Sequence, residues 1–235
     1  SNTLASDKGY RGVVFVTTDM RYVRIDGERL TGGCGVLLGS VGTNASTAGL
    51  SGAEFANGIP GTLGGAVYMN AGAYGGQMAD IVESTVCYSL DERKVVTLNN
   101  SEHNFGYRHS VFMEKNMVIL SSTLKLTKGD TTEIRAKMSE LLKCRRDKQP
   151  LEFPSAGSVF KRPEGYFAGK LIEDAGLKGT RVGGAMVSPK HAGFIVNTGN
   201  ATAKDVLTLV DIIKEKVFSL YGVNLECEIR FVGEK

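Results

Sequence analysis

The chain has 235 residues, 42% of them hydrophobic, and a formal net charge of +3. That length can bury a substantial core in one large or two small domains, and so small a charge implies no field strong enough to hold nucleic acid. No apolar run reaches the roughly 18 residues of a membrane span, and no signal-peptide pattern opens the chain.

Cys34, Cys87, Cys144 and Cys227 are scattered without a C-x-x-C pair, which fits a reducing cytosol better than a disulfide framework. His103, His109 and His191 show no ligand spacing, so no structural zinc is expected. The first residue is not Met, and the chain reads as processed, tagged or truncated.

In chain order, the first 125 residues read as short strands broken by turns. Strands are predicted at Val13–Thr17, Tyr22–Ile25, Val36–Leu38, Val82–Ser89, Lys94–Leu98 and Met117–Leu126, all rich in β-branched and apolar residues. "SGAE" offers Ser51 as N-cap and Glu54 three residues on, so a short helix is predicted to begin there.

Next comes "GIPGTLGGAVYMNAGAYGG" (58–76), with seven glycines and no charge. It lacks the Gly-Lys-Ser/Thr ending of a phosphate loop. The nearest dinucleotide fingerprint, Gly33-Cys34-Gly35, has Leu38 where its last glycine should stand. Such glycine density implies backbone at positive φ or backbone against another surface. A run of tight turns is the plainer reading.

A helix is predicted over 130–150, with Asp130 as N-cap, Ile134, Met138, Leu141 and Leu142 on one face, and Pro150 as its stop. A second is predicted over 202–222. Thr202 caps it, Val206, Leu209, Val210, Ile213, Val217 and Leu220 form its stripe, and Gly222 ends it. A strand Cys227–Val232 follows, with Glu226, Glu228 and Arg230 on the face opposite Cys227, Ile229 and Phe231.

Four places gather polar groups. "FGYRHS" sets Tyr107 and Arg108 in a turn; a loop arginine is usually solvated, yet Arg suits bidentate capture of a carboxylate. "PSAGSVFKRP" holds Ser158 among small residues, ahead of Lys161 and Arg162. It lacks G-x-S-x-G and a triad partner, so Ser158 suits proton delivery as well as an ordinary turn. "RRDKQP" (145–150) ends the connector helix with cations, which stabilise a helix C-terminus in any case. Glu228 lies on a strand face that is solvated by default.

These segments together resemble the UDP-N-acetylenolpyruvoylglucosamine reductases, flavoenzymes of peptidoglycan synthesis. The matching strings are "SNTLASDKGYRGVV", "GLSGAEFANGIPGTLGGAVYMNAGAYGG", "FGYRHS", "RRDKQP", "PSAGSVFKRP", "LIEDAGLKG", "HAGFIVN" and "ECEIRFVG", which span nearly the whole chain. The resemblance implies an α+β fold. It has an FAD-binding subdomain of the vanillyl-alcohol-oxidase type at 1–128 (its N-terminal part missing), a connector helix at 129–149, and an α+β substrate domain at 150–235 whose last strand returns to the active site.

It also implies NADPH-dependent, FAD-mediated reduction of UDP-N-acetylglucosamine enolpyruvate by a cytoplasmic monomer, with no metal, nucleic acid or membrane partner. Ser158 matches the proton donor; Arg108 and Glu228 match the pair that steadies the substrate carboxylate. Tyr107, Lys148 and Lys161 match substrate positions. Asn2, Gly58, Ile59, Pro60, Gly61, Gly64, Gly65, Asn70, Ala71, Gly72 and Arg230 match the FAD side. The 50 positions from Arg108 to Ser158 resemble the shorter subtype, without a tyrosine loop. Only the tail of the family's N-terminal "GxGSN" turn is present, so a truncated fragment is expected. Two rivals stand beside this reading: a flavin oxidase of the same fold acting on another small molecule, and a non-catalytic UDP-sugar-binding remnant.

Overall fold

The structure, a computed structural model, describes residues 1–234. It divides into an internal unit, Phe15–Arg145, and a terminal unit made of Ser1–Val14 together with the chain from Arg146 onward. β1 (Thr3–Ala5) belongs to the terminal unit. The internal unit then runs β2 (Val23–Asp26), β3 (Arg29–Gly33), α1 (Leu38–Thr47), β4 (Leu50–Ser51), α2 (Leu63–Met69), β5 (Gly72–Ala73), β6 (Gly76–Gln77), α3 (Met78–Ile81), β7 (Val82–Ser89), β8 (Lys94–Asn99), β9 (Met117–Lys125), β10 (Thr127–Lys128) and most of α4 (Thr131–Lys148).

The internal unit is built on a five-stranded antiparallel sheet in the order β2-β3-β9-β7-β8. Alternation along the strands sends Leu30, Cys87, Ile119 and Leu124 into one core with Leu38 and Val41 of α1 and Leu63 and Val67 of α2. Each such aliphatic side chain, buried fully, contributes about 1.5–3 kcal/mol. The core also holds a polar chain. His103, fully buried, meets the Asn99 carbonyl through Nδ1 (2.7 Å) and the Thr85 hydroxyl through Nε2 (2.8 Å), and Thr85 meets Ser122 at 3.0 Å. Burial holds the His103 pKa below the usual histidine range. The neutral ring therefore donates from Nδ1 to Asn99 and accepts at Nε2 from Thr85.

Several sequence expectations change here. Val36–Leu38 is no strand: Leu38 begins α1, whose buried Leu38, Val41 and Ala45 follow helical spacing. Its polar side chains bond back to the helix, Thr43 to Gly39 O (3.0 Å), Asn44 to Ser40 O (2.8 Å) and Thr47 to Thr43 O (2.9 Å). "SGAE" gives one 3₁₀ turn, Glu54–Ala56, because Ser51 is engaged in β4 opposite Thr127. The Ser51–Glu54 side-chain bond does form, at 2.7 Å. Val13–Thr17 forms no strand, and Val13, Val14, Phe15 and Val16 are exposed. The chain just beyond is tied elsewhere: Thr17 O lies so close to Gly35 that a side chain there would collide with it.

The terminal unit adds β11 (Ser155–Ser158), α5 (Ala168–Asp174), β12 (Arg181–Val182), β13 (Ala185–Val187), β14 (Phe194–Asn197), α6 (Ala203–Tyr221) and β15 (Arg230–Val232). Its antiparallel sheet has the order β11-β14-β13-β12. Leu209, Val210, Ile213 and Val217 of α6 pack with Leu171 and Ile172 of α5 and with Val187 and Ile195 of the sheet. Thr202 caps α6 with Asp205 in a reciprocal box, and Gly222 ends it at φ 66°. Leu220, expected in the stripe, is half exposed in the last turn.

β1 pairs in parallel with β15, Thr3 opposite Arg230 and Ala5 opposite Val232. That pairing groups the first 14 residues with the C-terminal part of the chain, whereas the sequence reading set them with residues up to 128. Regular pairing of the last strand begins at Arg230; Cys227 makes an isolated bridge to Phe160. Among the described residues no helix is long and apolar enough to cross a membrane.

Candidate active site

In the internal unit, Gly106 and His109 exchange main-chain bonds (3.1 and 3.2 Å), which puts Tyr107 and Arg108 at the corners of a two-residue turn. Arg108 takes φ 54°, a left-handed conformation that costs a non-glycine residue about 1–2 kcal/mol. Asn70 fixes this turn from below. Buried at 2% exposure and left-handed at φ 44°, it donates from Nδ2 to Gly106 O (2.8 Å) and Gln77 Oε1 (3.1 Å), and accepts at Oδ1 from the Ala79 N–H (2.9 Å). Ser110 is anchored too, its hydroxyl donating to Tyr68 O at 2.7 Å. The Arg108 guanidinium leans over Tyr107 and donates from Nη2 to Gly72 O at 3.3 Å.

Gly72 belongs to the hairpin β5–β6, whose tip Tyr74–Gly75 has φ 53° and 91° at its two positions. Positive φ at both corners is the twist that suits a two-residue hairpin. A side chain at Gly72 would strike Gln77, and one at Gly76 would strike the Phe55 ring, so both glycines are demanded by the hairpin's own packing.

The glycines of 58–76 thus have separate causes. Gly64 is buried, and a Cβ there would lie 2.8 Å from Cys34 Cβ, so it serves the approach of α2 to the end of β3. Gly65 is exposed, and a Cβ there would make an ordinary 3.6 Å contact with Thr62 Oγ1. Gly58 and Gly61 have φ 83° and 119°. Pro60 is exposed beside them, and half-buried Ile59 and Ala71 pack on the core.

Arg145, expected only as one of the cations that end the connector helix, is buried instead. It is 5% exposed, its Nε has no hydrogen-bond partner among the described residues, its guanidinium lies 5.9 Å from the Tyr74 ring centroid, and Gly58 sits against its side chain. Burial lowers its pKa. A signal was present: Arg145 continues the stripe Ile134, Met138, Leu141 at helical spacing, a cation where an apolar residue belongs. A buried guanidinium nitrogen without a partner is costly in a stable fold and suits an electron-rich ligand group.

In the terminal unit, Ser158 closes β11 opposite Phe194 and is half-buried; its hydroxyl makes one long contact, to Phe160 O at 3.3 Å. Glu228 is brought beside it: the Glu228 N–H donates to Val159 O at 2.8 Å. Lys161 is joined to Glu226 by both its main chain (2.8 Å) and its ammonium (2.5 Å). Arg230 is exposed in β15, with its N–H donating to Asn2 O at 2.9 Å. Asn2 also donates from Nδ2 to Ala156 O at 2.8 Å, leaving Oδ1 buried without a partner. What Asn2 has left is an acceptor, which suits a hydroxyl or N–H rather than a phosphate oxygen. Lys148 is exposed at the end of α4. Among the described residues no cluster of His, Cys, Asp and Glu is suited to a metal ion.

Two family descriptions match the chain: "UDP-N-acetylenolpyruvoylglucosamine reductase, C-terminal domain" over residues 149–232, and "FAD binding domain" over residues 1–99. The UDP-N-acetylenolpyruvoylglucosamine reductase of Caldanaerobacter subterraneus is 51% identical over 236 residues, covering 100% of this chain and 78% of that protein. The protein of the same name from Lachnoclostridium phytofermentans is 51% identical over 240 residues, covering 100% and 77%. The crystal structure of the Thermus caldophilus UDP-N-acetylenolpyruvylglucosamine reductase superposes with a TM-score of 0.77 at 40% identity, covering 86% of this chain and 72% of that one.

Proposed function

The chain belongs to the UDP-N-acetylenolpyruvoylglucosamine reductase family of flavin oxidoreductases, and from that premise we propose which of its residues carry the reaction. The cofactor is FAD. The residues of the internal unit fit such a group: the unpartnered Nε of Arg145 and the bare, left-handed Gly58 against it offer a donor and a close approach to a flat, electron-rich ligand. Bound FAD supplies the hydride, with NADPH as its source in a cytoplasmic step of peptidoglycan synthesis.

The substrate is UDP-N-acetylglucosamine enolpyruvate. Its reduction adds a hydride to one carbon of the enolpyruvyl double bond and a proton to the other, and charge develops on the substrate carboxylate in between. Arg108 holds that carboxylate. Its planar fork suits bidentate binding, and the strained turn keeps it aimed before substrate arrives, so little reorganisation accompanies the charge build-up. Glu228 steadies the same carboxylate by orienting a donor toward it. Ser158 delivers the proton. A serine hydroxyl is a weak acid, but a carbanion next to a carboxylate is basic enough to take its proton. Lys148 and Lys161 attract the UDP diphosphate, and Tyr107 borders the substrate.

One observation carries this reading: the Glu228 N–H on Val159 O (2.8 Å) holds the segment bearing the Glu228 carboxylate against the residue that follows Ser158. Ser158→Ala tests it. Flavin reduction by NADPH should stay intact while product formation is lost; normal turnover by the variant overturns the role of Ser158.

A further inference from the structure

We infer that Asn2 is a positioning residue for Ser158, acting through the main chain of residues 156–159; this rests on the assignment of proton delivery to Ser158. The sheet alone does not hold the serine's approach. Ser155 pairs with Val196 and Ser158 with Phe194, and the register shifts between them, so Ala156 and Gly157 bulge out of the ladder. The bulged Ala156 carbonyl is taken instead by Asn2 Nδ2, across 154 positions of sequence.

Asn2 is itself fixed. Its carbonyl accepts the Arg230 N–H at 2.9 Å, and the residues after it pair with β15. The ring closes through Glu228, two residues before Arg230, whose N–H donates to Val159 O at 2.8 Å. Two hydrogen bonds therefore pin the backbone on either side of Ser158, at Ala156 O and Val159 O, and a third anchors Asn2 to Arg230. The pinning matters because, among the described residues, the Ser158 hydroxyl has only its 3.3 Å contact to Phe160 O. Its position is set by backbone, not by its own side-chain partners. Gly157, at φ 83°, permits the bulge, and a Cβ there would lie 3.6 Å from Asn2 Nδ2.

The test uses the FAD-loaded full-length protein and reads the two half-reactions separately. Asn2→Asp keeps the shape but sets an acceptor against the Ala156 carbonyl; Asn2→Ala removes the side chain. Flavin content and the rate of reduction by NADPH are read first in each, so that reoxidation is compared per bound flavin. Reoxidation by UDP-N-acetylglucosamine enolpyruvate should slow by about 100-fold, the scale of a displaced reacting group. The solvent deuterium isotope effect on reoxidation should rise, because the proton transfer becomes the slow step. Gly157→Ala, which strains the same bulge, should split the half-reactions in the same way and replaces the Asn2 variants if they do not fold. Wild-type reoxidation in the variants overturns the inference, as does loss of FAD, which would make Asn2 a cofactor ligand instead. Ser158→Ala distinguishes the two levels: if it still makes product, the proton-donor reading fails first.

Discussion

Asn70 and Gly106, 36 residues apart, are joined by a 2.8 Å hydrogen bond from the Asn70 amide to the Gly106 carbonyl. Through it the left-handed end of α2 sets the turn that presents Tyr107 and Arg108. Three hydrogen bonds depend on this one side chain, all of them partly buried.

Asn70→Ala should therefore lower stability by about 2–3 kcal/mol, from lost buried bonds and a left-handed residue without its side-chain support. Asn70→Gly keeps the backbone conformation and should lose less. Urea unfolding of both variants checks the order, and the KM for the UDP-sugar should rise in each as the Arg108 turn loosens.

Arg108→Gly separates function from strain. At φ 54° the replacement relieves a conformational cost of about 1 kcal/mol, so thermal stability should hold or rise while turnover falls to background. Arg108→Lys keeps the charge but not the fork and should remain strongly impaired. A fall in stability for Arg108→Gly would show that the contact to Gly72 O matters more than the strain.

Arg145→Met should leave the FAD-free protein as stable as wild type or more so, because it removes a buried cation with an unsatisfied nitrogen. The same variant should purify with a lower flavin-to-protein absorbance ratio. Full flavin retention would place the cofactor's polar edge away from Arg145.

Acid should weaken the fold in a window set by two histidines. Burial lowers the folded-state pKa of both His103 and His191 below the usual 6.5. The unfolded chain thus takes up protons first as pH falls. Their contribution is complete above about pH 6.5 and is lost as pH drops from there toward their folded values. Denaturation midpoints from pH 8 to 5 should show this slope, and His103→Gln should reduce it. Asp130 and Asp205, whose pKa values are lowered by helix-start N–H groups, act in a separate, more acidic window.

The parts legible in the sequence were those written in local periodicity. α4 and α6 carry an apolar stripe at helical spacing with caps at their ends, and β7 was found to the residue. α1 was hidden because Gly, Ser, Thr and Asn dominate it and its polar side chains bond back to the helix, and α2 because it is only seven residues long with two glycines in its first turn and rests on burial that only the folded chain supplies. The site followed the same division. "FGYRHS" and "AGSVFK" announced themselves as polar residues beside turns. Arg145 looked like one more cation at a helix end, and the Asn2–Ala156 clamp joins positions that nothing local connects.

The pairing of β1 with β15 also sets an order of events at the ribosome. Phe15–Arg145 is contiguous and can complete its sheet during synthesis. Its companion unit cannot, because residues 3–5 wait for residues 230–232 before their strand has a neighbour. Until then β1 lacks its β15 partner and offers an edge open to wrong ones, and the loop to be closed runs from residues 3–5 to residues 230–232. Nascent chains stalled before Arg230 should be protease-resistant over Phe15–Arg145 and cleaved at residues 3–5, whose protection arrives only with residues 230–232.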